Sequence, residues 1–114
     1  MPHFILDCSD SILDNFIEED LMASIHHTAN SSGLFIESEI NVRNNPYQKY
    51  LVGNKSTDFI HVFAHIMQGR SIEQKAMLSK IIVSKLAELF PNIENIAMNV
   101  SDFEKATYCN LEKL

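Results

Sequence analysis

A chain of 114 residues, 46% apolar and with only two cysteines, fits one domain that buries roughly two-thirds of its unfolded surface without help from a metal or disulfide. No apolar run approaches the roughly 18 residues a membrane span needs, and the N-terminus lacks the basic and long apolar regions of a secretory signal. A cytoplasmic chain with Cys8 and Cys109 as reduced thiols is therefore expected. At a formal charge of −6, with its nine basic residues scattered, it offers no concentrated basic surface for nucleic acid.

The first element is a strand over about 2–8, where Pro2 stands at the first residue, a position at which a strand tolerates proline. Ser9, Asp10 and Ser11 then offer helix caps, and Leu13, Ile17, Leu21, Ile25 and Ala29 recur every four residues as one buried helical face. Asp14, Glu18, Glu19 and Asp20 suit the positive end of that helix, and Asn30 to Gly33 close it. An extended stretch is expected from about Ile36 to Arg43. A turn at Asn44-Asn45-Pro46 and a hairpin arm from Tyr47 to Val52, closing at Gly53-Asn54, follow it.

A second strand-helix-strand unit starts near Thr57. Alternation in Phe59 to Met67 puts Ile60, Val62, Ala64 and Ile66 on one face and Phe59, His61, Phe63, His65 and Met67 on the other. Gly69-Arg70 breaks the strand, and Ser71-Ile72-Glu73-Gln74 reads as a capping box. The helix it opens runs to about Phe90, with Leu78, Ile82, Leu86 and Leu89 inward, and Pro91 stops it. A last strand covers Ile93 to Ser101. Two halves of one plan, about 1–54 and 55–114, predict an α+β domain: a duplicated β-α-β with a four-stranded mixed sheet and two helices on one face.

The chemistry concentrates on few residues. If Met1 is removed, Pro2 becomes a free secondary amine, and an amine fixed at a strand end can act as a base. Only two arginines occur, Arg43 and Arg70, so each is a candidate anion clamp, with a surface ion pair as the plainer alternative. Arg70 precedes the cap of the second helix, where unpaired amides attract anions. His61 and His65 have zinc-helix spacing but sit on a strand about 13 Å apart, so they cannot share a metal. His26-His27 suits a helix end, no cysteine cluster exists, and no metal site is assigned. Cys8 has no base beside it in sequence and reads as a partly buried, inert thiol.

Met-Pro-His-Phe-Ile at the start, the Gly33-Leu34-Phe35 turn and Gly69-Arg70-Ser71 at the second helix together resemble the 5-carboxymethyl-2-hydroxymuconate isomerase branch of the tautomerase superfamily. The resemblance spans nearly the whole chain. It implies a cofactor-independent isomerase that moves a proton along an unsaturated 2-hydroxy or 2-oxo dicarboxylate. Pro2 would be its acid/base, Arg70 its main clamp, and the active form a homotrimer with sites close to subunit boundaries. The family pattern has an Arg-x-Arg pair on the strand after the first helix, where this chain reads Asn41-Val42-Arg43. Arg43 shares a strand face with position 41 roughly 7 Å further along, so Asn41 and Arg43 are the substrate-binding candidates there. Phe35, with Phe4, Phe59 and Phe63, is a candidate pocket wall. Two other readings stay open on the same fold: a non-catalytic binding or assembly module, and a hydratase or dehalogenase of an unsaturated acid.

Overall fold

The computed structural model describes residues 1–114. Strands β1 (His3–Ser9), β2 (Asn41–Tyr47), β3 (Phe59–Met67) and β4 (Asn95–Phe103) form one sheet in the order β2-β1-β3-β4. Helix α1 (Glu18–Ser31) connects β1 to β2 and helix α2 (Ile72–Leu89) connects β3 to β4. Each half pairs its own strands in parallel, and β1 and β3 join the halves antiparallel. The expected mixed four-stranded sheet with two helices on one face is the architecture found. No helix is long and apolar enough to cross a membrane.

One face of the sheet is buried under the helices. Phe4, Leu6 and Cys8 of β1 and Ile60, Val62, Ala64 and Ile66 of β3 pack against Leu21, Ile25 and Ala29 of α1 and Leu78, Ile82 and Leu86 of α2. The alternate residues His3, Ile5 and Asp7, together with Asn41, Arg43 and Asn45 and with Phe59 to Met67 at odd positions, form the uncovered face. The residue-by-residue alternation of β3 agrees with the sequence pattern. Ser71 and Gln74 make the reciprocal capping box at the start of α2.

Four local expectations are corrected. The caps at Ser9 to Ser11 open a 3-10 turn over Asp10–Asp14, not the long helix, because Ile12 there is drawn into the core. Helix α1 begins only at Glu18, with Ile17 as its N-cap. The Ile17 side chain is 62% exposed, so it does not belong to the buried stripe. Next, Glu37–Glu39 form a 3-10 turn within the stretch read as extended. Finally, Asn44-Asn45-Pro46 lie inside β2 rather than in a turn. β2 is an edge strand with β1 as its one neighbour, so proline's missing N–H can face outward at no cost to the ladder. No hairpin arm forms over Tyr47 to Val52. The turn at Gly53-Asn54 does form, both residues at positive φ, closed by the bridge between Val52 and Lys55.

Candidate active site

Gly69 has φ 124°, a conformation that suits glycine and swings the chain from β3 towards α2. The Ser71 cap fixes the helix immediately beyond it, so Arg70 is held between two rigid points. Its guanidinium Nη2 donates to the Leu34 carbonyl at 2.7 Å and Nη1 to the Met67 carbonyl at 3.3 Å. It also stacks over the Phe35 ring, 5.1 Å from the ring centre, and Phe35 meets Phe4 edge-on at 5.9 Å. Neither Arg70 nor Arg43 belongs to any of the chain's ion pairs, so their charges are not neutralised by a carboxylate. With five N–H donors and two in use, Arg70 keeps capacity for an anion.

Pro2 is buried immediately before β1, and its carbonyl accepts from the Asn41 N–H at 3.0 Å. In this chain its nitrogen is an amide bonded to Met1, which is 37% exposed. The antiparallel register sets the start of β1 beside the end of β3, and so beside the turn that carries Arg70. Pro2, Phe35 and Arg70 thus lie at one end of the sheet.

Asn41 and Arg43 point elsewhere. Both fall on the uncovered face, where Asn41 Nδ2 donates to the Glu39 carbonyl at 3.0 Å and Arg43 Nη1 donates to His3 Nδ1 at 3.3 Å. Burial, then the Arg43 charge, the terminal amine and His65, push the His3 pKa below its ordinary value. The candidate residues therefore form two groups on either side of the strand that Pro2 opens. The Leu34 carbonyl and His3 were not among them. A partner 36 residues away leaves no trace in sequence, whereas His3 was legible in principle: parity puts it on the face of Arg43 once β1 and β2 pair in register.

Pro2, Phe35 and Arg70 line none of the chain's surface concavities; one between α2 and β4 is lined by Ile72, Lys75, Met98 and Val100. Cys8 is fully buried, and burial raises its thiol pKa to about 11 despite a hydrogen bond to Asn44; Glu18, Asp10 and Asp7 push the same way. It is no nucleophile at neutral pH.

Duplicated β-α-β halves sharing one mixed sheet make this a tautomerase-like fold. Residues 2–108 match the 5-carboxymethyl-2-hydroxymuconate isomerase family, and the chain belongs to that family. It is 24% identical over 106 residues to the 5-carboxymethyl-2-hydroxymuconate Delta-isomerase of Escherichia coli, a match covering 91% of this chain and 84% of that protein. The crystal structure of a 5-carboxymethyl-2-hydroxymuconate isomerase from Deinococcus radiodurans R1 superposes with a TM-score of 0.82 at 21% identity, covering 96% of this chain and 87% of the other. A fused wild-type 4-OT asymmetric trimer gives 0.82 at 10% identity, covering 96% and 92%.

Proposed function

We propose that this isomerase moves a proton along an unsaturated 2-hydroxy or 2-oxo dicarboxylate of the 5-carboxymethyl-2-hydroxymuconate type, with Pro2 as the acid/base after loss of Met1. The observation that carries the reading is Arg70: a half-buried cation without a carboxylate partner, locked by Leu34 and Phe35 at the end of the sheet where β1 begins.

A free α-amino group titrates near pH 8, and burial or a neighbouring cation lowers that value, so a secondary amine at Pro2 would be neutral and basic at physiological pH. It takes the proton of the 2-hydroxyl group. The electron pair moves into the conjugated system, and the same nitrogen returns the proton to a carbon of the diene. Proton and electrons balance without a redox partner, because conjugation spreads the charge of the intermediate. Arg70 holds a carboxylate and stabilises the developing dienolate, a contribution of roughly a few kcal/mol for one well-placed donor. Phe35 and Phe4 shield that corner from water. Arg43 and Asn41, on the other side of β1, are the secondary contacts.

None of the concavities of a single chain is lined by Pro2, Phe35 or Arg70, and a fold neighbour is a trimer. Both support a homotrimer in which an adjacent subunit walls the site. The direct assay follows ketonisation of simple 2-hydroxydienoates and of 5-carboxymethyl-2-hydroxymuconate by loss of dienol absorbance. Acceleration over buffer, with the isomerised keto acid as product, is expected. Binding without turnover would instead indicate an assembly or binding module, and a hydrated or dehalogenated product a different reaction.

A further inference from the structure

We propose that Glu37 is a positioning residue for the proton-transfer site: it pins the loop between α1 and β2 to helix α1, and that loop sets where Arg70 stands relative to Pro2. The inference rests on the reading above, in which Arg70 binds a substrate carboxylate and Pro2 carries the proton.

The loop touches both groups. Near its start the Leu34 carbonyl accepts from Arg70 Nη2 at 2.7 Å, and the Phe35 ring lies under the guanidinium. At its end the Asn41 N–H donates to the Pro2 carbonyl at 3.0 Å. One stretch of chain therefore holds Arg70 at one end and Pro2 at the other, and its own rigidity decides how the two are spaced.

The entry to the loop is well fixed. The Ser32 hydroxyl donates to the Ala29 carbonyl at 2.6 Å and accepts from the Leu34 N–H at 3.2 Å, while Gly33 turns the chain at φ 73°. Farther along the support thins. Between Phe35 and Ile40, which pack on the core, Ile36 and Ser38 are exposed, and the backbone makes only a short 3-10 turn over Glu37–Glu39. So short a turn is not stable by itself. The Glu37 side chain supplies the missing tie. Asn30 Nδ2 donates to Glu37 Oε2 at 3.0 Å, and His26 Nε2 lies 3.4 Å from the same oxygen. His26 and Asn30 are four residues apart on α1, so they stand side by side and converge on one acceptor. Helix α1 is itself anchored in the core by Leu21, Ile25 and Ala29, which makes it a rigid base for the pin.

The Glu37 carboxylate is 61% exposed, so this contact contributes little to global stability. Its effect is geometric, because a small displacement of a binding group is felt strongly in a reaction that depends on alignment. What the pin requires is an acceptor oxygen rather than a charge. A negative charge acting at a distance would do the opposite of a pin: it would repel an anionic substrate, and removing it would tighten binding. Glu37→Gln keeps an oxygen for Asn30 and loses the charge, whereas Glu37→Ala loses both, so the two variants separate the two effects.

The test uses steady-state kinetics with a simple 2-hydroxydienoate on the chain that begins at Pro2. Glu37→Ala should raise KM about threefold to fivefold with kcat within about twofold, the split expected when a substrate-binding group is displaced. Glu37→Gln should stay within about twofold of the wild-type KM. Asn30→Ala should raise KM in the same direction and add little when combined with Glu37→Ala, because both remove one contact. NMR gives a check that needs no turnover. The Arg70 side-chain proton signals, displaced by the Phe35 ring beneath them, should move towards their ordinary positions in Glu37→Ala and stay in place in Glu37→Gln. A wild-type KM in Glu37→Ala with unmoved Arg70 signals overturns the pin, as do equal effects of alanine and glutamine in either direction. If Arg70→Ala raises KM while Glu37→Ala does not, the pin falls alone. If Arg70→Ala leaves KM unchanged, the clamp reading of the site falls, and the Arg70 signals still decide whether Glu37 holds the loop.

Discussion

Arg70 and Phe35 hold each other in place: the guanidinium lies 5.1 Å from the ring centre and donates at 2.7 Å to the carbonyl of Leu34, the residue before that phenylalanine. A loop between α1 and β2 is thereby tied to the turn between β3 and α2. Arg70→Lys keeps the charge but loses the fork that serves carbonyl and ligand together. It should raise KM for 2-hydroxydienoates about tenfold or more and lower unfolding stability by roughly 1–2 kcal/mol, since hydrogen bonds from charged donors are worth about 1.5–3 kcal/mol. Steady-state kinetics and urea unfolding check both. Phe35→Ala should weaken the same corner through lost contact with Phe4 and the guanidinium.

The cap of α2 stands next to that arginine, so it should affect stability and substrate binding together. Ser71→Ala removes the hydroxyl that accepts from the Gln74 N–H and should cost about 1 kcal/mol of stability. If the cap also orients Arg70, KM rises with kcat little changed. Gly or Asn at position 71 should recover most of the lost stability, because both are tolerated caps.

Much of this was legible in the sequence, for identifiable reasons. β3 alternates strictly because one of its faces is core, and the capping box at Ser71 and Gln74 is a purely local device. The fold class followed from those signals and the repeated strand-helix-strand order. What failed was wherever tertiary position overrode a local signal. Asn44-Asn45-Pro46 carries turn residues, yet an edge strand accommodates them, and Asn44 Nδ2 is used to reach Glu18 of α1. Ile17 fits a helical stripe but caps the helix in solvent. At the candidate site, the Gly69-Arg70-Ser71 motif marked the break between β3 and α2, while the ties of Arg70 to Leu34 and Met67 depended on how the folded segments come together.

The two thiols should separate cleanly. Cys109 is exposed and should react with a disulfide reagent at pH 8, while Cys8, fully buried, should react only after unfolding, giving one thiol per native chain and two per denatured chain. The Cys8 pKa is raised from about 9.0 to about 11, so the folded state holds its proton more tightly than the unfolded chain. The stability this contributes is complete below pH 9 and is lost as pH rises towards 11. In Cys8→Ala, part of the alkaline loss of stability between those values should disappear, read from melting temperatures across that range.

Asn41 lies opposite His3 in the register of β1 and β2. Asn41→Arg adds a second cation beside Arg43 at the expense of one hydrogen bond to the Glu39 carbonyl. It should tighten dicarboxylate binding by about fivefold to tenfold, in keeping with a charge-assisted contact partly screened by solvent, and lower the His3 pKa further. Competition binding with cis,cis-muconate, a six-carbon dicarboxylate, and NMR titration of His3 read the two effects.

The role of the Pro2 nitrogen is tested most directly by comparing two forms of the chain, one with mass-verified Pro2 at its N-terminus and one retaining Met1, in ketonisation of a 2-hydroxydienoate across pH. The processed form should be active, with a titrating group below the ordinary amine value, and the Met1 form should be slower by about a hundredfold or more. Equal rates for the two forms would contradict the account.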